Sequence, residues 1–300
     1  TAFAAVKVDG SVVTWGYYYF GGNSRNVAAQ LSGGVQTVVG GEEAFAALKV
    51  DGSVVTWGDA INGGDSRGVA EQLSSGVQTV VGNDGAFAAV KVDGSVVTWG
   101  NADFGGDSSV VAEHGVVEDV DEQLSGGVLT VVATAEAFAA VKADGSVVTW
   151  GNVEKGGNSE DVAEQLSGGV QTVVANDMAF AAVKADGSVV SWGDVVCGGD
   201  SSDVAEQLSN GVQTVVGAGF AFAAVKADGS VVTWGNVNSG DWYYWQRLEG
   251  VAEQLSGGVQ TVVGNAYAFA AVKADGSVVT WGNVRSGGDS SDVAEQLSGG

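Results

Sequence analysis

One histidine, His114, and one cysteine, Cys197, are the chain's entire supply of these two reactive residue types. Zinc centres, catalytic triads and proton shuttles need several such groups held together, and these two lie in different copies of a repeated pattern. Aspartates and glutamates are abundant, but no pattern singles out one pair as acid and base. We therefore expect a non-enzymatic protein with no catalytic residues, no metal site and no cofactor.

A glycine-rich loop gathers the oxygen-bearing side chains that could suit calcium. The sequence "GGDSSD" occurs at 198–203 and 287–292, and related loops read "GGDSR", "GGNSR" and "GGNSED". Calcium takes about six to eight oxygen ligands, and this loop lacks the Asp-x-Asp-x-Asp-Gly spacing of a calcium loop. Turn chemistry before a helical segment accounts for the pattern more simply. We predict a turn here.

Two other loops stand out by their aromatic side chains, in the first and the sixth repeat. These residues are Tyr17, Tyr18, Tyr19 and Phe20, and Trp242, Tyr243, Tyr244 and Trp245, with Arg247 close to the second group. Consecutive aromatic residues cannot all point inward, and Tyr, Trp and Arg dominate protein-binding hot spots. We predict that these nine residues bind a partner. Local plugging of the fold is the alternative interpretation.

The elements that position these loops belong to an internal repeat. The phrase "SVVTWG" (once "SVVSWG") recurs with its tryptophan spaced by 42, 42, 51, 42, 42 and 47 residues, which defines a 42-residue unit with two insertions. The tryptophans are Trp15, Trp57, Trp99, Trp150, Trp192, Trp234 and Trp281. The seven units span approximately 1–34, 35–76, 77–127, 128–169, 170–211, 212–258 and 259–300, which we interpret as one repeat domain covering 1–300.

Each unit predicts about three strands and a short helical segment. "AFAAVKADGSVVTWG" is typical of a hairpin on a type I′ Asp-Gly turn, which places Ala223 opposite Trp234 in the sixth unit. "GVQTVV" supplies a third strand. In "SSDVAEQLS" at 201–209, the spacing of Asp203 and Glu206 predicts a capped helix, with an irregular outer strand as the competitor. Both faces of the hairpin are apolar, so both must be covered.

Stacked β units covered on both faces favour a mainly β, seven-bladed β-propeller, and an open β-solenoid is the alternative. Seven hairpins are accompanied by only six "VQTVV"-type strands. Two arrangements are open: a strand outside 1–300 closes the ring, or the chain is a fragment of a longer array. The repeated tryptophans are then packing residues between blades, and the seven lysines beside the hairpin turns are solvated charges.

The run of a small-residue strand, an Asp-Gly turn, a "VVTWG" strand and a glycine-rich loop, repeated seven times in register, resembles the regulator of chromosome condensation repeat. The resemblance covers essentially the whole chain and implies a seven-bladed β-propeller. Members of that family act as guanine-nucleotide exchange factors, chromatin binders or interaction modules. No exchange-factor or chromatin-binding segment can be matched to particular residues here, so the resemblance assigns none of these activities.

Charge narrows the choice of partner. The chain has 36 acidic and 12 basic residues and a formal net charge of −24, which repels nucleic acid and anionic lipid. No apolar stretch is long enough to span a membrane. We predict an interaction scaffold or a peripheral subunit of a larger assembly, with a protein partner. A carbohydrate-binding propeller that uses the same aromatic loops is the alternative.

Overall fold

The computed structural model describes residues 1–109, 120–236 and 251–299. In this part the chain is mainly β and forms seven antiparallel sheets, the first with two strands and the other six with three. The predicted fold class, seven propeller-type blades with about three strands each, is confirmed. No helix in the described part has the length and apolar character needed to cross a membrane.

The strands follow one another in chain order within each sheet. They are β1 (Ala2–Val6), β2 (Val12–Gly16), β3 (Val35–Gly40), β4 (Ala44–Lys49), β5 (Val54–Gly58), β6 (Val77–Gly82), β7 (Ala86–Lys91), β8 (Val96–Gly100), β9 (Val128–Ala133), β10 (Ala137–Lys142), β11 (Val147–Gly151), β12 (Val170–Ala175), β13 (Ala179–Lys184), β14 (Val189–Gly193), β15 (Val212–Ala218), β16 (Ala221–Lys226), β17 (Val231–Gly235), β18 (Val259–Gly264), β19 (Ala268–Lys273) and β20 (Val278–Gly282). Between sheets the structure describes the short helices α1 (Val120–Gln123) and α2 (Ala163–Leu166) and several 3-10 turns.

The chain divides into two compact units, Thr1–Asn158 and Ser159–Gly300. The first unit holds the sheets formed by β1 to β11, and the second holds those formed by β12 to β20. The expectation of a single repeat domain stays a prediction.

The hairpin register differs by one residue from the predicted one. In the sixth sheet, Phe222 lies opposite Trp234 and Ala223 lies opposite Thr233, whereas the sequence predicted Ala223 opposite Trp234. A slip of one residue exchanges the two faces of a strand, so Phe222 and Trp234 share a face. Their rings stack with centroids 5.2 Å apart.

The hairpin turn explains this shift. The loop has three residues, 227–229, and the backbone N–H of Gly229 donates to the carbonyl of Lys226 at 2.9 Å. Only glycines have positive φ in the described chain, and Gly229 has φ +77°. The turn is therefore type I with a left-handed glycine, and the predicted type I′ turn is wrong because Asp228 keeps a negative φ. Its carboxylate accepts hydrogen bonds from the backbone N–H (2.9 Å) and the hydroxyl (2.6 Å) of Ser230.

Neighbouring sheets pack through two different faces. In the third sheet the Phe/Trp face consists of Phe87, Ala89, Val97 and Trp99, and in the second sheet the Ala face consists of Ala44, Ala46 and Leu48. These faces form one buried core, and the same pairing recurs at the four other junctions that lie within one compact unit. Alanine is required because a larger side chain would occupy the space that the stacked rings of the next sheet fill.

At four of these five junctions a hydrogen bond joins the two sheets as well, whereas at the fifth the buried Nε1 of Trp281 has no hydrogen-bond partner among the described residues. The indole Nε1 of Trp99 donates to the carbonyl oxygen of Gly63, in the preceding 42-residue repeat, at 3.1 Å. Equivalent bonds join Trp57 to Gly21, Trp150 to Gly105 and Trp234 to Gly198. Five of the repeated tryptophans thus pack between sheets, as predicted, although each lies opposite phenylalanine and not alanine. Trp15 of the first sheet is half exposed.

The "VAEQL" segments form short helical turns. In the fifth repeat, 170–211, a 3-10 turn covers Ser202–Val204, and Asp203 lies inside it. The predicted capping box is wrong, because the carboxylate of Asp200 accepts the backbone N–H of Ser202 at 2.8 Å and supplies the cap instead. The predicted helical segment itself is confirmed.

The lysines beside the hairpin turns do more than face solvent. The ammonium group of Lys226 donates to the backbone carbonyl of Gln207, at the end of the preceding helical turn, at 2.6 Å. The same bond is made by Lys91, Lys142, Lys184 and Lys273. The prediction of purely solvated charges is therefore wrong for these five, which satisfy a helix-end carbonyl.

Candidate functional site

The first aromatic loop, residues 17–20, follows strand β2. Tyr17 is extended, and Tyr18–Phe20 form a 3-10 turn that ends at Gly21 with φ +89°. The backbone N–H of Tyr17 donates to the carbonyl of Thr1 at 3.1 Å, and the N–H of Gly22 donates to the carbonyl of Tyr17 at 3.0 Å. The loop backbone is therefore held at both ends.

The base of this loop is anchored to the second sheet. Trp57 Nε1 donates to the carbonyl of Gly21 at 3.0 Å, and a Cβ on Gly21 would lie 2.5 Å from the ring of Phe45. Positive φ and this close approach both require glycine. Because the anchor sits in the backbone, it is independent of the side chains at residues 17–20.

The side chains of Tyr17, Tyr18 and Tyr19 are each more than half exposed. The ring of Tyr17 packs edge-on against Phe20 with centroids 4.7 Å apart, and Tyr18 packs edge-on against Tyr19 at 5.2 Å. The structure thus brings these four predicted residues together as one exposed aromatic cluster. Such a cluster offers apolar area with hydroxyl groups at its margin.

The first aromatic loop also lacks a hydrogen bond that its sibling loops make. In the five other loops of this kind with a described cap, an Asp or Asn side chain at the first position accepts a backbone N–H two or three residues later. These residues are Asp59, Asn101, Asn152, Asp194 and Asn283. Tyr17 occupies this position in the first loop and makes no side-chain cap.

The aromatic residues of the sixth unit, namely Trp242, Tyr243, Tyr244, Trp245 and Arg247, lie outside the described residues. The described chain reaches Asn236, whose backbone N–H donates to the carbonyl of Phe220 at 2.8 Å. The ring of Phe220 lies 6.0 Å from that of Tyr267, which is exposed. Two further aromatic residues thus lie beside the start of this loop in the second compact unit.

Sequence reasoning missed Phe220 and Tyr267. A signal was present, because the residue before each "AFAA" strand is aromatic only in these two units. The corresponding residues elsewhere are Thr1, Glu43, Gly85, Glu136 and Met178.

The single histidine and the single cysteine are the remaining candidates for chemistry. His114 lies outside the described residues. Cys197 is buried, with its Sγ 3.7 Å from Sδ of Met178, and its backbone N–H donates to Asp194. Among residues 1–109, 120–236 and 251–299, no group of three or more His, Cys, Asp or Glu side chains is placed to hold a metal ion.

Local hydrogen bonds set the pKa values of several exposed aspartates. The side chain and backbone of Arg67 hydrogen-bond to Asp65 and lower the pKa of that carboxyl to about 2. At the hairpin turns, the serine two residues on lowers the pKa of each aspartate, as Ser230 does for Asp228. Burial raises the pKa of Asp177. The lowered pKa of the turn aspartate recurs in all seven repeats, which identifies it as a feature of the fold and not of one site.

No protein-family model and no curated protein sequence matches the chain. Several solved structures are similar to it in fold. Yeast RCC1 (Prp20), in a structure with Kap60 bound, is 14% identical over 83% of this chain and 70% of its own, with a TM-score of 0.46. The CRINKLY WD40 ectodomain of the Arabidopsis thaliana receptor kinase ACR4 is 19% identical over 94% and 90%, with a TM-score of 0.44.

Human WBSCR16 is 15% identical over 91% of this chain and 79% of its own, with a TM-score of 0.49. The seven repeated sheets, and the pairing of faces within each compact unit, are consistent with an RCC1-like β-propeller repeat.

Proposed function

We propose that the chain is a non-enzymatic protein-interaction scaffold, or a peripheral subunit of a larger assembly, that binds its partner through the aromatic loops. The partner-binding residues proposed are Tyr17, Tyr18, Tyr19, Phe20, Trp242, Tyr243, Tyr244, Trp245 and Arg247. One observation supports this best: the first aromatic loop replaces a capping side chain with Tyr17 and exposes three tyrosines.

The sibling loops fold without the three tyrosines of the first loop. Each forms a similar turn that ends at a left-handed glycine, and Phe104 is the only aromatic side chain among the five described siblings, so folding does not require aromatic residues at 17–19. A lost cap costs about 0.5–2 kcal/mol, and exposed aromatic area adds a risk of aggregation. A buried aromatic anchor at a protein interface can contribute about 2 kcal/mol or more, which offsets both effects.

Carbohydrate binding by the same loops is the competing function. Sugars stack on the open face of an aromatic ring, whereas Tyr17 meets Phe20 and Tyr18 meets Tyr19 edge to face at interplanar angles of 68° and 75°. The three tyrosine side chains are nevertheless more than half exposed. Binding to a glycan panel separates the two functions, because only a lectin gives saturable binding to one sugar class.

The decisive experiment exchanges the loop side chains and keeps the loop. Residues 17–20 are replaced by Asn-Val-Arg-Ser, the sequence of 283–286, and partner recovery is measured by pull-down and cross-linking mass spectrometry from the native source. We expect an unchanged or higher melting temperature and loss of the partner. Unfolding of the variant would identify the aromatic residues as an internal plug, and undiminished recovery would place the interface elsewhere.

A second exchange tests the sixth unit on its own. Residues 241–249 are replaced by "GDSS" from a sibling loop, and the same two measurements are made. We expect the melting temperature to stay nearly constant while partner recovery falls. The variant at 17–20 serves as the matched comparison, since it alters the other aromatic loop only.

A further inference from the structure

Asparagine followed by glycine occurs twice in the chain, at Asn62–Gly63 and at Asn210–Gly211. Asparagine is thermolabile because the backbone nitrogen of the next residue can attack its side-chain amide. Glycine in that next position gives the nitrogen its easiest approach, since it has no Cβ and its backbone is the most flexible. Whether the reaction occurs in the folded chain then depends on how firmly the fold holds the amide and the nitrogen.

The fold holds the first of these two pairs in place. Nδ2 of Asn62 donates to the carboxylate of Glu43 at 2.9 Å, and the backbone N–H of Asn62 donates to the carboxylate of Asp59 at 3.0 Å. Gly63 is buried, and its carbonyl accepts the indole N–H of Trp99 at 3.1 Å. The side-chain amide and the peptide group that would have to meet are therefore both fixed.

The second pair is held much less. Asn210 is exposed, and its Nδ2 makes one exposed hydrogen bond, to the hydroxyl of the adjacent Ser209 at 3.1 Å. No hydrogen bond joins the N–H of Gly211 to any described residue. Ser75, the equivalent residue in the first compact unit, is exposed as well, so the exposure of this position recurs in both compact units.

The Asp-Gly hairpin turns could form the same kind of ring, but they are held at both reacting groups. In the sixth repeat the carboxylate of Asp228 accepts two hydrogen bonds from Ser230, and the N–H of Gly229 donates to the carbonyl of Lys226 at 2.9 Å. The loop at 210–211 has neither restraint.

Folding does not require asparagine at this position. The five other residues that directly precede the glycine before a "VQTVV"-type strand are glycine or serine, namely Gly33, Ser75, Gly126, Gly168 and Gly257. The fifth repeat therefore carries a reactive residue where its siblings carry inert ones.

We propose that Asn210 is a site of spontaneous deamidation in the folded chain. The nitrogen of Gly211 bonds to Cγ of Asn210, the Cγ–Nδ2 bond breaks, and ammonia leaves with the proton of the former N–H. Water then opens the resulting succinimide ring at either of its two carbonyl carbons. Opening at Cγ gives aspartate, and opening at the main-chain carbonyl carbon gives isoaspartate, in which the backbone runs through Cβ and Cγ.

Isoaspartate lengthens the main chain directly before two bonds that join neighbouring sheets. The carbonyl of Gly211 accepts the N–H of Ala227, in the turn between β16 and β17, at 2.8 Å. The N–H of Val212 donates to the carbonyl of Gly187, in the turn between β13 and β14, at 2.9 Å. We expect isoaspartate to displace these bonds and lower the melting temperature. The proposal does not depend on the function of the aromatic loops.

Peptide mapping by mass spectrometry tests the proposal on the whole chain. The folded chain is kept at neutral pH and body temperature for several weeks, and a second sample is kept unfolded in guanidinium chloride. Asparagine, aspartate and isoaspartate at positions 62 and 210 are measured in samples taken at intervals. A fresh sample corrects for deamidation during digestion.

Two variants use the sibling loops as matched references. Asn210→Ser installs the residue of the second repeat and removes the reactive amide. Ser75→Asn creates an Asn-Gly pair at the equivalent place in the first compact unit, where Gly76 has φ +76°, close to φ +74° of Gly211.

We expect Asn210 to react in the folded chain nearly as fast as in the unfolded chain. Asn62 should react at least about tenfold more slowly when folded, since that protection requires an opening free energy of only about 1.4 kcal/mol. In the Ser75→Asn variant, position 75 should react about as fast as Asn210. Ageing should lower the melting temperature of the native chain and leave that of Asn210→Ser unchanged.

Persistence of Asn210 in the folded chain while the unfolded chain reacts would overturn the proposal. So would an Asn62 that reacts as fast as Asn210, or an inert position 75 in the Ser75→Asn variant. An aged native chain that contains isoaspartate and melts like the fresh chain would overturn the expected effect on the junction between the fifth and sixth sheets.

Discussion

At the scale of single residues, small differences between otherwise identical units separate folding from binding. Tyr17 stands where siblings have a capping Asp or Asn, and its backbone still makes the same turn. Lost hydrogen bonds of this kind are measurable, because they are local and the siblings provide matched references.

Replacing Tyr17 with Asn should stabilise the chain. The amide can accept the backbone N–H two residues later, as Asn283 does from Arg285 at 2.9 Å. The gain should be about 0.5–1 kcal/mol, measured as a higher thermal midpoint. The reverse change, Asn283→Tyr, should lower the midpoint. A fall in stability for Tyr17→Asn would mean that the contact of Tyr17 with Phe20 outweighs the cap.

Replacing Asp228 with Asn should remove a pH-dependent contribution to stability. Hydrogen bonds from Ser230 lower the pKa of this carboxyl below its usual value of 3.8. The charged form therefore stabilises the fold above pH 3.8, and this contribution disappears as the pH falls through the lowered pKa. We expect the variant to be less stable at neutral pH.

The difference should vanish at low pH, which thermal unfolding of both proteins between neutral and strongly acidic pH will show. Ser230→Ala is the matched control, since it removes the hydroxyl donor and keeps both the backbone N–H donor and the carboxylate of Asp228. A constant difference at all pH values would contradict the assignment of the effect to ionisation of Asp228.

At the scale of elements, the hairpin and the preceding helical turn are joined by the lysine ammonium. Lys226→Met keeps the apolar stem and leaves the carbonyl of Gln207 without this donor. We expect a loss of about 1 kcal/mol in the free energy of unfolding, measured by denaturant titration. Lys7→Met is the control, because Lys7 forms only an exposed pair with Asp9 at 3.5 Å, and such pairs contribute little. Equal effects of both changes would contradict the structural role of Lys226.

The sequence predicted the strands and helical turns well, because "VQTVV", "AFAAV" and "VVTWG" recur at fixed spacing. It predicted the wrong register because Asp-Gly is compatible with both a type I′ turn and a type I turn with a left-handed glycine. Ser230 decides between them through its two hydrogen bonds to Asp228. The role of Lys226 could not be predicted, since its acceptor is 19 residues away and is positioned only by tertiary structure.

The candidate site was predictable in part. The cluster at 17–20 was found because it breaks the repeat, and the structure shows it exposed. Phe220 and Tyr267 were overlooked because each differs from its siblings at a single position. The exposure of Phe3 and Trp15 depends on which sheets cover them, and periodicity carries no such information.

At the scale of the whole molecule, charge governs which partners can approach. With 36 acidic and 12 basic residues, and five of the basic residues committed to helix-end carbonyls, the chain offers few cations to phosphate groups. We expect no duplex DNA binding at physiological salt, measured by fluorescence anisotropy. Salt-sensitive affinity for DNA would contradict this and would favour a chromatin-binding role.

The shared pairing of Ala and Phe/Trp faces also has a genetic consequence. Unequal crossing-over between two copies of the repeat adds or removes whole repeats when the copies align in phase, each of 42 codons or of 51 or 47 where the repeat carries an insertion. The new neighbours then present the same two faces and the same Trp-to-Gly hydrogen bond, so the product inherits a junction that already folds. Crossing-over out of phase would leave an incomplete sheet between complete ones, and selection should remove it. Alleles of this gene should therefore differ in length by whole units.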